Sequence, residues 1–191
     1  VVFGGRLASI RRQVAADLAR RGLPRERVVA LVVRLLDETL VRVGNPEYAR
    51  DESFGLTTLE GRHVSAQGGL VFEFEGKSGV EQEVRIVDPV LVRAVQACDD
   101  LGGHQLFTYR DGDEVCGVSS DDVNDYLREV AGDEVSARDF RTWGGTVAVA
   151  EDLGAVDPAH LAGAGEGGRR FLEAGDHAAE RLGKTRAVCR G

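Results

Sequence analysis

Leu70-Val71-Phe72-Glu73-Phe74-Glu75-Gly76-Lys77-Ser78-Gly79-Val80-Glu81-Gln82-Glu83-Val84-Arg85-Ile86-Val87 is the stretch on which the reading of this chain turns. Leu70, Phe72 and Phe74 point one way and Val71, Glu73 and Glu75 the other, the period of two that marks a half-buried strand. Gly76-Lys77-Ser78-Gly79 has the composition of a turn, and Glu81 to Val87 returns with Val84 and Ile86 on one face. A hairpin is predicted, with Lys77 at its tip. Residues Gly55 to Val64 are expected to add a third strand, giving a small antiparallel sheet.

Both flanks of this stretch switch to helical spacing. Upstream, Arg6 to Arg21 reads as a helix ended by Gly22, and Pro24 suits the first turn of the next. That second helix carries Val28, Leu31, Val32, Leu35 and Leu36 as one apolar stripe, and Gly44-Asn45-Pro46 stops it. Downstream, Asp88-Pro89 is a cap followed by an N1 proline, leading into Leu91, Ala94, Val95 and Cys98. Ser119-Ser120-Asp121-Asp122 starts another helix, bearing Val123, Tyr126, Leu127 and Val130. Ser136 can cap a further, short one, with Asp139 three residues on. Gly163 to Gly168 reads as a loose glycine-rich loop, and Phe171 to Leu182 as a last helix. The expected class is α+β, mainly α, with one three-stranded antiparallel sheet inserted among helices.

The chain has 191 residues, room for one domain with a real core, and no internal repeat or long linker divides it. Charged residues make up 29% and hydrophobic ones 42%, a soluble globular balance. No apolar run approaches the roughly 20 residues that span a bilayer, and no secretory signal opens the chain. With Val1 first and no Met anywhere, the sequence reads as a piece of a longer protein. Cys98, Cys116 and Cys189 form no C-x-x-C, so free thiols are expected. His63, His104, His160 and His177 lack ligand spacing, which argues against zinc.

Net charge is −8, against the usual sign of a nucleic-acid binder. The charge is uneven, however. Residues 1–42 hold nine Arg against four acidic residues, and the remainder 15 basic against 28 acidic. Only the front offers a basic stripe, and a solvated helix face explains its spacing as well as a ligand does. No G-x-S-x-G, P-loop, H-E-x-x-H or Cys/His cluster announces a reaction. What stands out are cations at element boundaries: Arg42 at a helix end, Lys77 at the hairpin tip and Arg141 in the first turns of a short helix. Taken singly, each reads as an exposed charge. Their neighbours distinguish them.

Leu40-Val41-Arg42-Val43-Gly44-Asn45-Pro46-Glu47-Tyr48-Ala49-Arg50, followed by Ser53-Phe54-Gly55-Leu56-Thr57-Thr58-Leu59, resembles the signature of type IB DNA topoisomerases of the poxviral and bacterial type. Phe74-Glu75-Gly76-Lys77-Ser78-Gly79 resembles that family's lysine hairpin. Ala137-Arg138-Asp139-Phe140-Arg141-Thr142-Trp143-Gly144 resembles the helix start that holds its second arginine. Leu182-Gly183-Lys184-Thr185-Arg186-Ala187-Val188-Cys189-Arg190 resembles the approach to its nucleophilic tyrosine. The four run in order over nearly the whole chain; the first and third are specific, and G-K-S-G alone is weak.

The resemblance implies the helical catalytic core that type IB topoisomerases share with tyrosine recombinases. It implies residues 1–191 as the catalytic domain, without the family's N-terminal β domain and without the C-terminal tyrosine segment. The implied activity is relaxation of supercoiled DNA, independent of ATP, through a 3′-phosphotyrosyl intermediate. The catalytic roles fall on Arg42, Lys77, Arg141 and Lys184, and DNA contacts on Tyr48, Arg50, Thr57, Arg138 and Thr142. No metal, nucleotide or other cofactor is implied. The partner is double-stranded DNA; no membrane is involved, and the family suggests a monomer in the cytoplasm, on the bacterial nucleoid.

The chain departs from the pattern in four ways. The nucleophile is expected just after Gly191, and Tyr48, Tyr109 and Tyr126 all precede the last motif. Lys184 stands where relatives have His or Asn; it too can donate to a phosphate oxygen. The Tyr48–Gly55 loop is one residue short, and the balance after residue 43 is acidic. With one jaw of the clamp, weaker and strongly salt-sensitive DNA binding is expected. Two alternatives follow: a non-catalytic DNA-binding paralogue, and a tyrosine recombinase or integrase, against which Arg138 stands where recombinases usually keep His.

Overall fold

A computed structural model describes residues 2–66, 68–154 and 166–182. The order is α1 (Val2–Leu18), α2 (Arg25–Thr39), α3 (Pro46–Ala49), two 3-10 turns, β1 (Val64–Ala66), β2 (Leu70–Gly76), β3 (Val80–Ile86), α4 (Pro89–Leu101), β4 (Thr108–Asp111), β5 (Glu114–Gly117), α5 (Ser120–Ala131), α6 (Ala137–Gly154) and α7 (Glu166–Arg181). The mainly helical class with a small antiparallel sheet is what the sequence led one to expect.

Helix α2 is the centre. Val28 to Val33, Leu35 and Leu36 are all buried, wider than the single stripe read from spacing, because α1, α4, α5 and α6 pack around it. A helix buried on nearly every side is hydrophobic all round. The side-chain caps form as expected, but α1 runs Val2–Leu18 and so ends before Gly22, and Pro24 stands as the N-cap just ahead of α2. Asp88 accepts from Val90 N at 2.7 Å, Asp122 from Ser119 N at 2.8 Å and Asp139 from Ser136 N at 2.8 Å. Each satisfies backbone N–H groups near a helix start.

The predicted hairpin forms in full register. Phe72 faces Val84 and Phe74 faces Gln82 across β2 and β3, toward the core, while Glu73 faces Glu83 and Glu75 faces Glu81 on the exposed side. Four carboxylates thus line one face of the ribbon, an arrangement that costs stability because like charges stand opposite. Ser78 and Gly79 take successive left-handed conformations, φ 70° and 71°, to reverse the chain beyond Lys77.

Several expectations are corrected. Gly55 to Val64 is not a strand: Leu56–Thr58 and Gly61–His63 are 3-10 turns, and the third strand begins only at Val64. Thr58 closes the first turn by accepting from Gly55 N at 2.9 Å, which diverts that backbone from sheet pairing. Helix α6 is not short but runs 18 residues, since Trp143, Gly144 and Ala148 pack rather than terminate it. Arg42 is not on a helix end but three residues beyond one. Helix α2 closes at Thr39 and Leu40 turns left-handed, φ 55°. Gly167 and Gly168 belong to α7 rather than to a loop, while 163–165 lie outside the described residues. The β4–β5 hairpin was not foreseen.

Candidate anion-binding cleft

After Leu40 the chain runs extended through Arg42 and is locked along its length. Leu56 N donates to Arg42 O at 2.9 Å and Thr57 N to Val43 O at 2.7 Å; the Thr57 hydroxyl donates to the same Val43 oxygen at 2.9 Å. The two strands of chain lie so close that a Cβ on Gly55 would sit 2.6 Å from Gly44 Cα and 2.7 Å from Arg42 O. Those neighbours are backbone and cannot yield, so glycine is required by contact, not by its φ of −148°. Gly44, at φ 106°, turns the segment toward α3.

Phe54 extends this frame to the hairpin. Its N–H donates to Glu75 O at 2.8 Å, and its buried ring lies 4.3 Å from that of His63, with the Arg62 guanidinium 5.7 Å from the ring centre. Burial, and then the neighbouring Arg62 cation, push the His63 imidazole below its ordinary pKa. A neutral ring fits its role, because Nδ1 accepts from Glu60 N at 3.0 Å.

Arg141 enters from α6. It is half-buried, and its guanidinium donates to Leu40 O and, at 2.5 Å, to Leu182 O. It therefore ties the C-terminal end of α2 to the chain leaving α7. The fit is close on its own helix too: a Cβ on Gly144 would come within 2.5 Å of the Leu40 side chain.

Two adjoining spaces result. A recess of about 20 Å3 is lined by Arg42, Phe54, Phe74, Lys77, Gln82 and Arg141, among others. A wider cleft of about 180 Å3 shares Arg42, Phe54 and Lys77 and adds Gly44, Tyr48 and Ser53. The Lys77 ammonium lies 5.0 Å from the centre of the Tyr48 ring. Three cationic residues drawn from a post-helix segment, a hairpin tip and a helix thus line the recess, and two of them, Arg42 and Lys77, also line the wider cleft beside it.

The other predicted site residues are distributed as follows. Arg50 is exposed and lines a separate cavity of about 560 Å3 with Thr58, Glu60, His104 and Gln105. Thr57 is 1% exposed, its hydroxyl engaged as above. Arg138 and Thr142 are exposed on α6, one turn apart. Lys184 lies outside the described residues, as does Cys189; Cys98 and Cys116 are free thiols, and burial pushes Cys98 up to about 12. Not anticipated were Gln82, whose position opposite Phe74 is the only signal in the sequence, and the two carbonyls held by Arg141.

Four of the nine arginines at the front pair with acidic residues of the chain. Arg11 pairs with Asp37, Arg20 with Asp17, Arg25 with Asp122 and Arg34 with Glu38. Asp17 is 2% exposed. Burial opposes its ionisation, but donors from Gln13, Tyr126 and Arg20 outweigh this and hold the carboxyl below the usual range. Among the described residues no three His, Cys, Asp or Glu gather as a metal site would need, and no helix is long and apolar enough to cross a membrane.

The family model described as eukaryotic DNA topoisomerase I, catalytic core, matches residues 2–191. The chain belongs to that family, the type IB topoisomerases. It is 32% identical over 127 residues to the DNA topoisomerase 1B of Acanthamoeba polyphaga mimivirus, a match over 63% of this chain and 38% of the viral protein. The aligned stretch thus spans well under half of that relative.

Proposed function

We propose that this chain is the catalytic core of an enzyme that relaxes supercoiled DNA by transient cleavage of one strand. The observation that carries the reading is that Arg42, Lys77 and Arg141 line one recess, beside a wider cleft that Arg42 and Lys77 share. In the proposed reaction a tyrosine attacks a phosphodiester as its phenolate, forming a 3′-phosphotyrosyl bond and breaking the bond to the 5′-oxygen. Arg42 and Arg141 donate to the non-bridging oxygens, on which negative charge grows in the transition state. Lys77 gives a proton to the departing 5′-oxygen, which is a poor leaving group without it. The 5′-hydroxyl then attacks back, so no ATP is consumed. Lys184 supplies a further donor to the phosphate.

The choice of side chain supports this division. Of the 24 Lys and Arg residues, only Lys77 and Lys184 are lysine. In a chain that otherwise uses arginine throughout, lysine at the hairpin tip is the one cation there that can lose a proton and regain it, which arginine cannot. Arg50, Arg138 and Thr142 contact the duplex in this reading, and Thr57 acts by bracing the Arg42 segment. Tyr126 is unsuited as nucleophile, being 6% exposed and hydrogen-bonded to Asp17 at 2.9 Å. The protein works as a monomer on duplex DNA, at the nucleoid of a bacterial cytoplasm, without nucleotide or metal.

A second reading, a non-catalytic DNA-binding paralogue, draws on the net charge of −8. A recombinase is disfavoured by Arg138 in the position of the usual His. Plasmid relaxation without ATP or magnesium decides among them, with this chain run beside a version extended at both ends to include a tyrosine after the last motif and an N-terminal β domain of the kind the family uses. Relaxation by the extended protein, lost on Arg141→Ala, is expected. DNA binding with no relaxation by either would put the paralogue first, and strand exchange in place of relaxation the recombinase.

A further inference from the structure

Lys77 sits on an exposed hairpin tip, with a long flexible stem and, among the described residues, no carboxylate in ion-pair range. Its nearest acidic neighbours along the ribbon, Glu75 and Glu81, face each other on the exposed side. Left alone, such an ammonium samples many rotamers, and fixing one is costly in entropy. What it meets is the face of Tyr48, at 5.0 Å from the ring centre, inside the range of cation–π attraction.

The backbone that carries the ring is held by hydrogen bonds. Tyr48 stands on α3, started by Asn45, which accepts from Glu47 N at 2.8 Å. The Tyr48 carbonyl accepts from Asp51 N at 3.1 Å and Ser53 N at 3.0 Å. One face of the side chain is then free to be a platform, and it is 50% exposed although large and aromatic.

We infer that Tyr48 is a positioning residue for Lys77, its π face holding the ammonium over the cleft before the phosphate arrives. This rests on the topoisomerase reading for the role of Lys77, not for the contact. The chemistry favours a ring over a carboxylate here. A carboxylate would hold the cation by neutralising it, and would compete with the phosphate for its N–H donors. The ring attracts the charge through its quadrupole and leaves hydrogen-bond donors for the 5′-oxygen. The platform also links α3, which bears Tyr48, to the hairpin bearing the proton donor, two elements that no backbone hydrogen bond joins directly among the described residues.

The contact is tested on the chain itself by NMR with lysine-selective labelling, since only two lysines contribute signals. The Lys77 ε-methylene resonance, assigned by its loss in Lys77→Arg, is expected upfield of its ordinary position through the ring current. Tyr48→Phe should keep that shift and Tyr48→Leu abolish it; an unshifted resonance, or one unmoved by Tyr48→Leu, overturns the inference. The role is tested in the tyrosine-extended protein with two substrates, one with oxygen and one with sulfur as the 5′-leaving atom, because a thiolate departs without protonation. Tyr48→Leu should slow cleavage of the oxygen substrate about two- to fivefold, and Tyr48→Phe should not. The sulfur substrate should be indifferent to both. An equal loss on both substrates would make Tyr48 a DNA contact and not a positioner of Lys77. A loss in Tyr48→Phe as large as in Tyr48→Leu would assign the effect to the hydroxyl and overturn the inference likewise. If the unsubstituted extended protein cleaves neither substrate, the topoisomerase reading fails while the NMR result still judges the contact.

Discussion

The segment that carries Arg42 and the hairpin that carries Lys77 reach the same cleft under opposite constraints. The first is held by three hydrogen bonds to residues 56 and 57 and by backbone contact with Gly55. The second ends in a three-residue reversal in solvent, steadied by one aromatic face. The difference matches the two tasks proposed for them. A donor to non-bridging oxygens gains from being in place before charge develops, because no reorganisation is then needed. A proton donor must follow an oxygen that moves as the bond breaks, so an arm serves it better than a frame. Arg141 lies on the framed side, since its donors also close α2 against the end of α7.

If this division is right, substitutions on the two sides should separate activity from stability. Lys77→Ala should give the largest effect on cleavage, a loss of about 10² to 10⁴, the usual share of general acid catalysis. Its change in folding stability should stay within about 0.5 kcal/mol, as for an exposed residue. A matching fall in melting temperature would break the comparison. Arg141→Ala should lose about 10²- to 10³-fold, as removal of an oxyanion donor does. Unlike Lys77→Ala it should also lower stability, by about 1–3 kcal/mol, because two carbonyls lose their donor; urea unfolding measures this. Gly55→Ala touches no ligand, yet should cost about 1–3 kcal/mol by overpacking and about 10²-fold in cleavage by displacing Arg42. Normal activity there would show that the frame is not needed.

The smallest effect on chemistry is expected far from the cleft. Tyr126→Phe removes a donor to buried Asp17 and should cost about 1–3 kcal/mol in stability while leaving cleavage unchanged. The pH dependence has a definite sign. The folded pKa of Asp17 is depressed, so its contribution is complete above the unfolded carboxylate value of about 3.9 and is lost as pH falls through the folded value. Asp17→Asn should therefore be less stable than the parent at pH 7, and the gap should narrow below about pH 4.

The hairpin and most helices were legible because they depend on apolar spacing and on caps such as Asp88 and Ser119, which are local. The 3-10 turns at 56–58 and 61–63 were misread as strand since Leu56 and Leu59 are buried in either conformation; what decided was the Thr58 hydroxyl turning back to Gly55. The β4–β5 hairpin escaped notice because its four-residue strands are mostly polar and exposed, leaving little alternation to read. Of the site, the cations could be picked out by their neighbours. Their mutual placement could not, as it rests on links such as Arg141 to Leu40, 101 residues apart. Nor could the burial of Thr57, whose hydroxyl faces Val43 and not a ligand.

The row of Glu73, Glu75, Glu81 and Glu83 along the outer face of the arm bears on how a polyanion perceives this protein. At physiological salt a charge is felt over about 8 Å, so a strand in the cleft meets the near field of Arg42, Lys77 and Arg141 and little of the glutamates behind them. At 0.01 M salt the reach grows to about 30 Å, and the far field is that of a body with net charge −8. Dilution, which tightens most protein–DNA complexes, here brings an opposing force into range. Affinity plotted against salt should flatten at the dilute end, where for a basic protein it would keep climbing.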